Sequence, residues 1–314
     1  MNVLLIDRFS PELLAGIAAL GVNWRYEPEW AARDVYAHLS PFEILVMNSK
    51  VRADAELLAH GPNLKMICRA GVGMDHFDLP LLEQRGIKAF STPGANAIPV
   101  AEQAAGMLLS LMHSIARADR QVHEWRWLRE ENCGTELYGK TVGIIGYGNT
   151  GSSFARCLSG FGCRVLAYDK YKSGYGNPLV EEVPLEAIFD EAQILSLHIP
   201  LTAETTGWVN AEFISRFLHP IWFLNLARGP IVPLEDLILS LESGKVIAAG
   251  LDVLENENIG DLTASERNRL SRLLQMDRVI LTPHIGGRSR ESLARITERL
   301  LEGIAEFVRG HPTA

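Results

Sequence analysis

The sequence predicts an α/β fold built from two doubly wound, parallel-sheet domains. Short apolar runs of strand length alternate with helix-like segments along most of the 314 residues, and such alternation implies parallel strands covered on both faces. The alternation is interrupted once, by the Ser/Thr/Pro/Gly-rich residues 91–96, which marks a boundary between two sets of elements. A glycine cluster then falls where the first strand of the second set meets a helix, the place where a doubly wound domain binds its ligand. A chain of this length accommodates two domains of roughly 100 to 200 residues, each able to bury a core.

In the first set, residues 3–6 read as a strand, followed by Ser10-Pro11-Glu12, an N-cap with proline in the first helical turn. Residues 44–47, 66–69 and 87–90 read as further strands, with helices over 53–60 and 79–85. After the break, a stretch rich in Ala, Leu and Met predicts one long helix over 100–116. The second set places strands at 142–145, 164–168, 194–198, 222–225, 248–252 and 279–282. The tail over 289–309 carries Leu293, Ile296, Leu300, Ile304 and Phe307 at helical spacing, as expected of a helix returning to the first domain. The expected division is residues 1–95 with 288–314 against residues 96–287.

Composition excludes several classes. Hydrophobic residues make up 47% and charged residues 22%, which argues against disordered, fibrous and membrane-spanning chains. A formal charge of −8 without a basic cluster speaks against nucleic acid as a partner. Met1-Asn2-Val3-Leu4-Leu5-Ile6-Asp7 has no basic n-region, and its apolar stretch is too short for a signal peptide or a membrane span, so a cytoplasmic protein is expected. Cys68, Cys133, Cys157 and Cys163 lack Cys-x-x-Cys spacing and a nearby His pair. No metal site is expected, and the thiols are expected reduced and mostly buried.

Residues 142–145 run directly into Gly146-Tyr147-Gly148-Asn149-Thr150-Gly151, and a helix pattern follows. Gly146 permits the tight turn, Gly148 lets the backbone approach a pyrophosphate, and Gly151 lets helix pack on strand. Asp169 closes the second strand 18 positions after Gly151, where a carboxylate accepts hydrogen bonds from ribose hydroxyls and repels a 2′-phosphate. Lys170 follows at once and partly offsets that repulsion, so NAD is preferred over NADP without excluding it.

Three further stretches follow strands of the second set: Asn225-Leu226-Ala227-Arg228-Gly229, Leu251-Asp252-Val253-Leu254-Glu255-Asn256-Glu257 and Thr282-Pro283-His284-Ile285-Gly286-Gly287. Together with Arg69-Ala70-Gly71-Val72-Gly73-Met74-Asp75, Pro99-Val100-Ala101-Glu102 and the glycine motif, they resemble the D-isomer-specific 2-hydroxyacid dehydrogenase family over essentially the whole chain. The resemblance implies a flavodoxin-like substrate domain and an NAD-binding Rossmann domain. It implies Arg228 as the substrate-binding arginine, Glu257 as the orienting carboxylate and His284 as the acid/base. The chemistry agrees: a planar guanidinium bridges the carboxylate and carbonyl of a 2-keto acid, and imidazole exchanges protons near neutral pH. Glu255 lies two residues from Glu257, but Glu257 stands 5 residues after Asp252 and 29 after Arg228, the family's spacing; Asn258 replaces the family's usual proline.

The resemblance further implies that Val72 and Gly73 N–H groups hold the substrate carboxylate, with Ser49 and Lys50 in the same site. It implies that Asp252 and the Ala227 carbonyl hold the nicotinamide carboxamide, and that His198, Pro200, Thr205 and Gly286 belong to the cofactor site. The stretches 139–149 and 248–252 look most like phosphoglycerate dehydrogenase-type members. A phosphorylated substrate needs extra cations, for which Lys50, Arg52 and Arg69 are candidates, yet Asn48 stands where similar enzymes often carry Arg. Glyoxylate or hydroxypyruvate reduction is the alternative, and a non-catalytic NAD(H)-sensing scaffold is the alternative of another class. An end at Ala314 leaves no room for the C-terminal regulatory domain of some phosphoglycerate members. Trp125 and Trp127 lie in a stretch that in the family reaches a second subunit, so a homodimer is expected.

Overall fold

The apolar run Asn2–Leu5 forms β1 of a five-stranded sheet in the computed structural model, which describes residues 1–311. Ser10 then caps α1 (Pro11–Ala19), its hydroxyl accepting the Leu13 N–H at 3.3 Å. The alternation continues through β2 (Asn23–Tyr26), α2 (Ala32–His38), β3 (Ile44–Met47), α3 (Ala55–His60), β4 (Met66–Arg69), α4 (Leu79–Gln84) and β5 (Lys88–Phe90). All pairings are parallel in the order β2-β1-β3-β4-β5, the flavodoxin-like winding.

Period-two alternation feeds two cores. Leu4, Leu45, Met47 and Ile67 pack with Val35, Leu57 and Leu82 on one face, while Val3, Leu5, Ile44, Val46, Met66 and Cys68 pack on the other with Leu13, Ile17 and the C-terminal helix. That helix buries Ile296, Leu300, Ile304 and Phe307; Leu293, expected on the same stripe, is exposed. The polar edge strand β2 and the short helix α2 carry no apolar run and had no sequence signal.

The second unit spans Ala97–Arg288; the first comprises Met1–Asn96 with the segment from Ser289 onward. It opens with α5 (Ala97–Met112) and α6 (Ile115–His123) rather than the single helix expected over 100–116. The Met112 carbonyl accepts the Thr135 N–H at 2.8 Å, and Ser114 takes φ +54°, so the helical ladder ends there. The sheet elements are β6 (Thr141–Ile145), α7 (Asn149–Leu158), β7 (Arg164–Tyr168), β8 (Glu181–Glu182), α8 (Leu185–Glu191), β9 (Ile194–Leu197), α9 (Ala211–Ser215), β10 (Ile221–Asn225), α10 (Leu234–Glu242), β11 (Val246–Leu251), α11 (Ala264–Leu274) and β12 (Val279–Leu281); α12 (Arg290–Gly310) is the C-terminal helix of the first unit.

The second sheet is parallel with order β12-β11-β10-β9-β6-β7-β8. It adds the two-residue edge strand β8 to the six strands expected. Its winding reverses between β6 and β9, the switch point at which ligands bind such sheets. Trp125 and Trp127 are 97% and 77% exposed, so neither is buried within this chain. The four cysteines are unpaired, but only Cys68 is buried and Cys133 is exposed, against the expectation of mostly buried thiols. Among the described residues no helix is long and apolar enough to cross a membrane.

Candidate active site

The glycine loop at the switch point is shaped by backbone contact. Gly146 has φ +94°, and a Cβ there would stand 2.5 Å from the His198 carbonyl oxygen; one on Gly151 would stand 2.1 Å from the Gly146 carbonyl oxygen. Neither position has room for a side chain. At Gly148 a Cβ would meet nothing within 4 Å. Gly148 is the N-cap of α7, whose first turn holds Asn149, Thr150 and Gly151 and has no side-chain cap. Uncapped N–H groups reinforced by the helix dipole favour an anion.

A cavity of about 290 Å³ adjoins this loop, lined among others by Gly146, Gly148, Asp169, Lys170, Pro200 and Thr205. The Asp169 carboxylate accepts the Tyr147 N–H at 2.9 Å and the Tyr171 N–H at 3.0 Å, fastening the glycine loop to the end of β7. Tyr147 stacks on Tyr175 at 4.7 Å. Thr205 donates to the Pro200 carbonyl at 2.7 Å and shapes the opposite wall. His198 lines the cavity, but its ring is hydrogen-bonded to Ser196 at 2.9 Å and tilted against Phe154. Burial pulls its pKa down to about 3. Its side chain thus forms part of the cavity wall.

The candidate reaction set hangs from the carboxyl ends of β10, β11 and β12. Asn225 is 2% exposed; it accepts the Ala227 N–H at 3.0 Å and donates to the Arg228 carbonyl at 3.0 Å, folding the loop that carries Arg228. Arg228 is extended (φ −145°, ψ 139°), and its guanidinium donates to the Ala227 carbonyl at 2.7 Å. Gly229 admits no side chain, because a Cβ would lie 1.8 Å from the Leu254 carbonyl oxygen.

The two candidate glutamates separate cleanly. Glu255 accepts the Leu234 N–H at 2.8 Å, supplying the cap that Pro233 cannot give α10. Glu257 turns both oxygens to His284 Nδ1, at 3.0 and 2.8 Å. Asn258, in place of proline, fixes the loop with side-chain bonds: its N–H donates to Asn256 at 3.0 Å and its amide to Asp261 at 2.6 Å. Asn256 in turn donates to Glu266 at 3.1 Å, whose carboxyl is pulled down to about 2 by the Thr263 hydroxyl, the Asn256 amide and the Thr263 N–H.

His284 adopts φ +52°, uncommon for a residue with a side chain. The loop is held there by Asp252. The Asp252 carbonyl accepts the His284 N–H at 2.9 Å. Its carboxylate accepts the Ile285 N–H at 2.9 Å, the Gly286 N–H at 2.7 Å, the Thr282 hydroxyl at 2.5 Å and the Gln103 amide at 2.9 Å. At 2% exposure with four donors, Asp252 anchors the His284 loop. A Cβ on Gly286 would stand 2.8 Å from Asp252 Oδ2, so Gly286 serves the same packing. Gln103, which also donates to Thr282 at 2.9 Å, had gone unassigned in the sequence. The imidazole Nε2 bonds no described residue.

Comparison with known proteins now decides the family. The model of the family described as D-isomer specific 2-hydroxyacid dehydrogenase, NAD binding domain, matches residues 105–286. The chain is 40% identical over 300 residues to the hydroxypyruvate reductase of Thermotoga maritima, covering 95% of this chain and 94% of that one. The chain belongs to the D-isomer specific 2-hydroxyacid dehydrogenase family. This dehydrogenase is also 32% identical over 314 residues to the D-3-phosphoglycerate dehydrogenase of Archaeoglobus fulgidus, covering 99% of this chain but 58% of that protein's length. Among solved structures, D-lactate dehydrogenase from Aquifex aeolicus, complexed with NAD and lactic acid, superposes with a TM-score of 0.89 at 29% identity, covering 98% and 96% of the two chains. The dehydrogenase uses NAD, and its glycine loop, uncapped helix and cavity suit a dinucleotide.

In the first unit, β4 leads into the loop that holds Val72 and Gly73. The Gly71 carbonyl accepts both the N–H and the hydroxyl of Thr92, at 3.0 and 3.1 Å, and Arg69 donates to the Gly73 carbonyl. The N–H groups of Val72 and Gly73 bond no described residue, leaving two adjacent donors. Ser49 follows Asn48, whose N–H donates to Asp7 at 2.6 Å. The Lys50 ammonium donates to the carbonyls of Pro28, at 2.6 Å, and of Ile6, bracing the strand ends.

Proposed function

We propose that this dehydrogenase reduces a small, unphosphorylated 2-keto acid of the hydroxypyruvate or glyoxylate type to the D-2-hydroxy acid. The observation that carries the reading is His284 Nδ1 engaged by Glu257 at 2.8 Å, on the same sheet edge as Arg228 and the glycine loop. Gly148 and the first N–H groups of α7 hold the pyrophosphate of NADH, and Asp169 meets the ribose hydroxyls. NADH, when bound, supplies the hydride. Arg228 binds the carboxylate and the neighbouring carbonyl oxygen of the substrate with parallel charge-assisted bonds. Glu257 keeps Nδ1 engaged, so Nε2 is the atom that gives a proton to the carbonyl oxygen in reduction and takes it back in oxidation.

Three features favour an unphosphorylated substrate. Lys50 and Arg69 donate to main-chain carbonyls, Arg52 lies 3.8 Å from Asp54, and Asn48 offers no charge where a phosphate would need one. The exposed Trp125 and Trp127 support a homodimer formed through that stretch, which sedimentation of the W125A/W127A variant tests by its shift to monomer. Four unpaired thiols fit a reducing, cytoplasmic setting.

The deciding experiment follows NADH absorbance against hydroxypyruvate, glyoxylate, pyruvate and 3-phosphohydroxypyruvate. The unphosphorylated acids should exceed the phosphorylated one by at least about tenfold in kcat/KM. His284→Ala should lower kcat by about 100-fold or more while NADH still binds. Preference for the phosphorylated acid overturns the substrate reading; silence on the whole panel with NADH bound overturns the catalytic one.

A further inference from the structure

We infer that Glu204 is a second determinant of cofactor choice, acting by withholding Lys170 from the 2′-phosphate of NADP. This rests on the NAD reading of the same site and says what enforces it.

Asp169 alone leaves the adenosine end of the site ambiguous, because Lys170 and Lys172 flank Tyr171 directly after it. A cation beside the acidic residue is the kind of group that takes up a 2′-phosphate. Both lysines are committed elsewhere. Lys170 pairs through Nζ with one oxygen of the Glu204 carboxylate, while the other oxygen accepts the Tyr171 hydroxyl at 2.6 Å. Lys172 donates to the Tyr147 carbonyl at 3.1 Å. Asp169, Lys170, Tyr171, Lys172 and Glu204 all line the one cavity beside the glycine loop.

Glu204 is itself held in place. The Thr202 N–H donates to Thr205 Oγ1 at 2.8 Å, and the Thr206 hydroxyl donates to the Thr202 carbonyl at 2.7 Å, which fixes the turn that carries the glutamate. The bond with Glu204 holds the Lys170 ammonium above its usual range, and the bonds from Lys170 and Tyr171 hold the Glu204 carboxyl below its own. Two carboxylates and two ammonium groups cancel, so an incoming phosphate dianion finds no net attraction. Removing Glu204 leaves a net positive charge and a lysine without its carboxylate. Lys170 and Glu204 are 54% and 49% exposed, so screening limits the gain to about tenfold.

The test measures the dissociation constants of NADH and NADPH by nucleotide fluorescence, without turnover, in wild type, E204Q, K170A and the double variant. In E204Q the NADPH preference relative to NADH should rise about tenfold at low salt and shrink as salt is added. K170A alone should show no rise, and K170A/E204Q should lose the gain. An unchanged ratio in E204Q, or a gain that persists without Lys170, overturns the inference. Failure of the wild type to bind NADH overturns the cofactor reading of the site and the inference with it.

Discussion

Asp252→Asn is the substitution that most directly tests how His284, the proposed acid/base, is held. The carboxylate accepts three donors on Oδ1, from Gln103, Thr282 and Ile285, and one on Oδ2, from Gly286. An asparagine of the same volume keeps one acceptor oxygen and puts an NH₂ group in place of the other. In its best orientation the amide keeps the three Oδ1 partners and sets its own NH₂ against the Gly286 N–H. One bond to a charged acceptor is then lost, and three weaken to the strength of neutral bonds, for a total of about 3 kcal/mol. For a unit of this size that corresponds to a fall of roughly 6–12 °C in Tm. The Thr282–Gly286 loop also loses its anchor, and the His284 imidazole its register, so kcat should drop at least about tenfold. Circular dichroism melts of the protein without nucleotide, with steady-state rates alongside, read both effects. A variant that melts within about 2 °C of wild type but binds NADH more weakly would refute the reasoning, because Asp252 would then act on the cofactor and not on the fold.

Gly229→Ala forces a Cβ onto the Leu254 carbonyl oxygen, which stands 1.8 Å from its ideal position; the Arg228 loop must move, and kcat/KM should fall about 100-fold or more, whereas a loss under threefold would show that the loop yields freely. Glu257→Gln keeps a partner for His284 Nδ1 but not its charge, so kcat should fall about tenfold with substrate KM nearly unchanged; a pure KM effect would place Glu257 in binding instead. His198 has its pKa lowered by burial from 6.5 to about 3. Between those values the unfolded chain binds a proton that the folded chain does not, so stability is lost as pH falls below about 6.5, by at most about 2 kcal/mol at pH 5. His198→Gln should remove that share of the acid sensitivity in denaturant melts at pH 7.5 and 5, and equal losses in variant and wild type would place the sensitivity elsewhere.

What the sequence made legible were the elements whose burial leaves a pattern. The central strands β1, β3, β4 and β9 are mostly apolar because both faces are covered, and their bounds could be read to within a residue or two. The edge strands β2 and β8 have no such pattern: Asn23–Tyr26 is mostly exposed and Glu181–Glu182 is charged, since an edge has one neighbour and little to bury. The break between α5 and α6 was hidden for a different reason. Apolar residues continue across it, and what stops the helix is the distant Thr135 N–H bound to the Met112 carbonyl, a contact that no local propensity encodes.

The site divides along the same physical line. Residues whose role lies in their own chemistry, such as Arg228, His284 and the motif glycines, announce themselves by type and position. Residues whose role lies in a partner do not. Glu255 and Glu257 are the same side chain two positions apart; spacing singled out Glu257, but that Glu255 caps α10 is visible only in the fold. Asp252 and Lys50 were readable as charges aimed at ligands, but not as the loop and strand-end anchors they also are, because a charge at a strand end is as useful for closing a loop as for holding a substrate. Gln103 reaches Asp252 across 149 residues of sequence, so no spacing could have disclosed it. The same logic explains why Lys170 was ambiguous as a cofactor residue until Glu204, 34 positions away, was seen to pair with it.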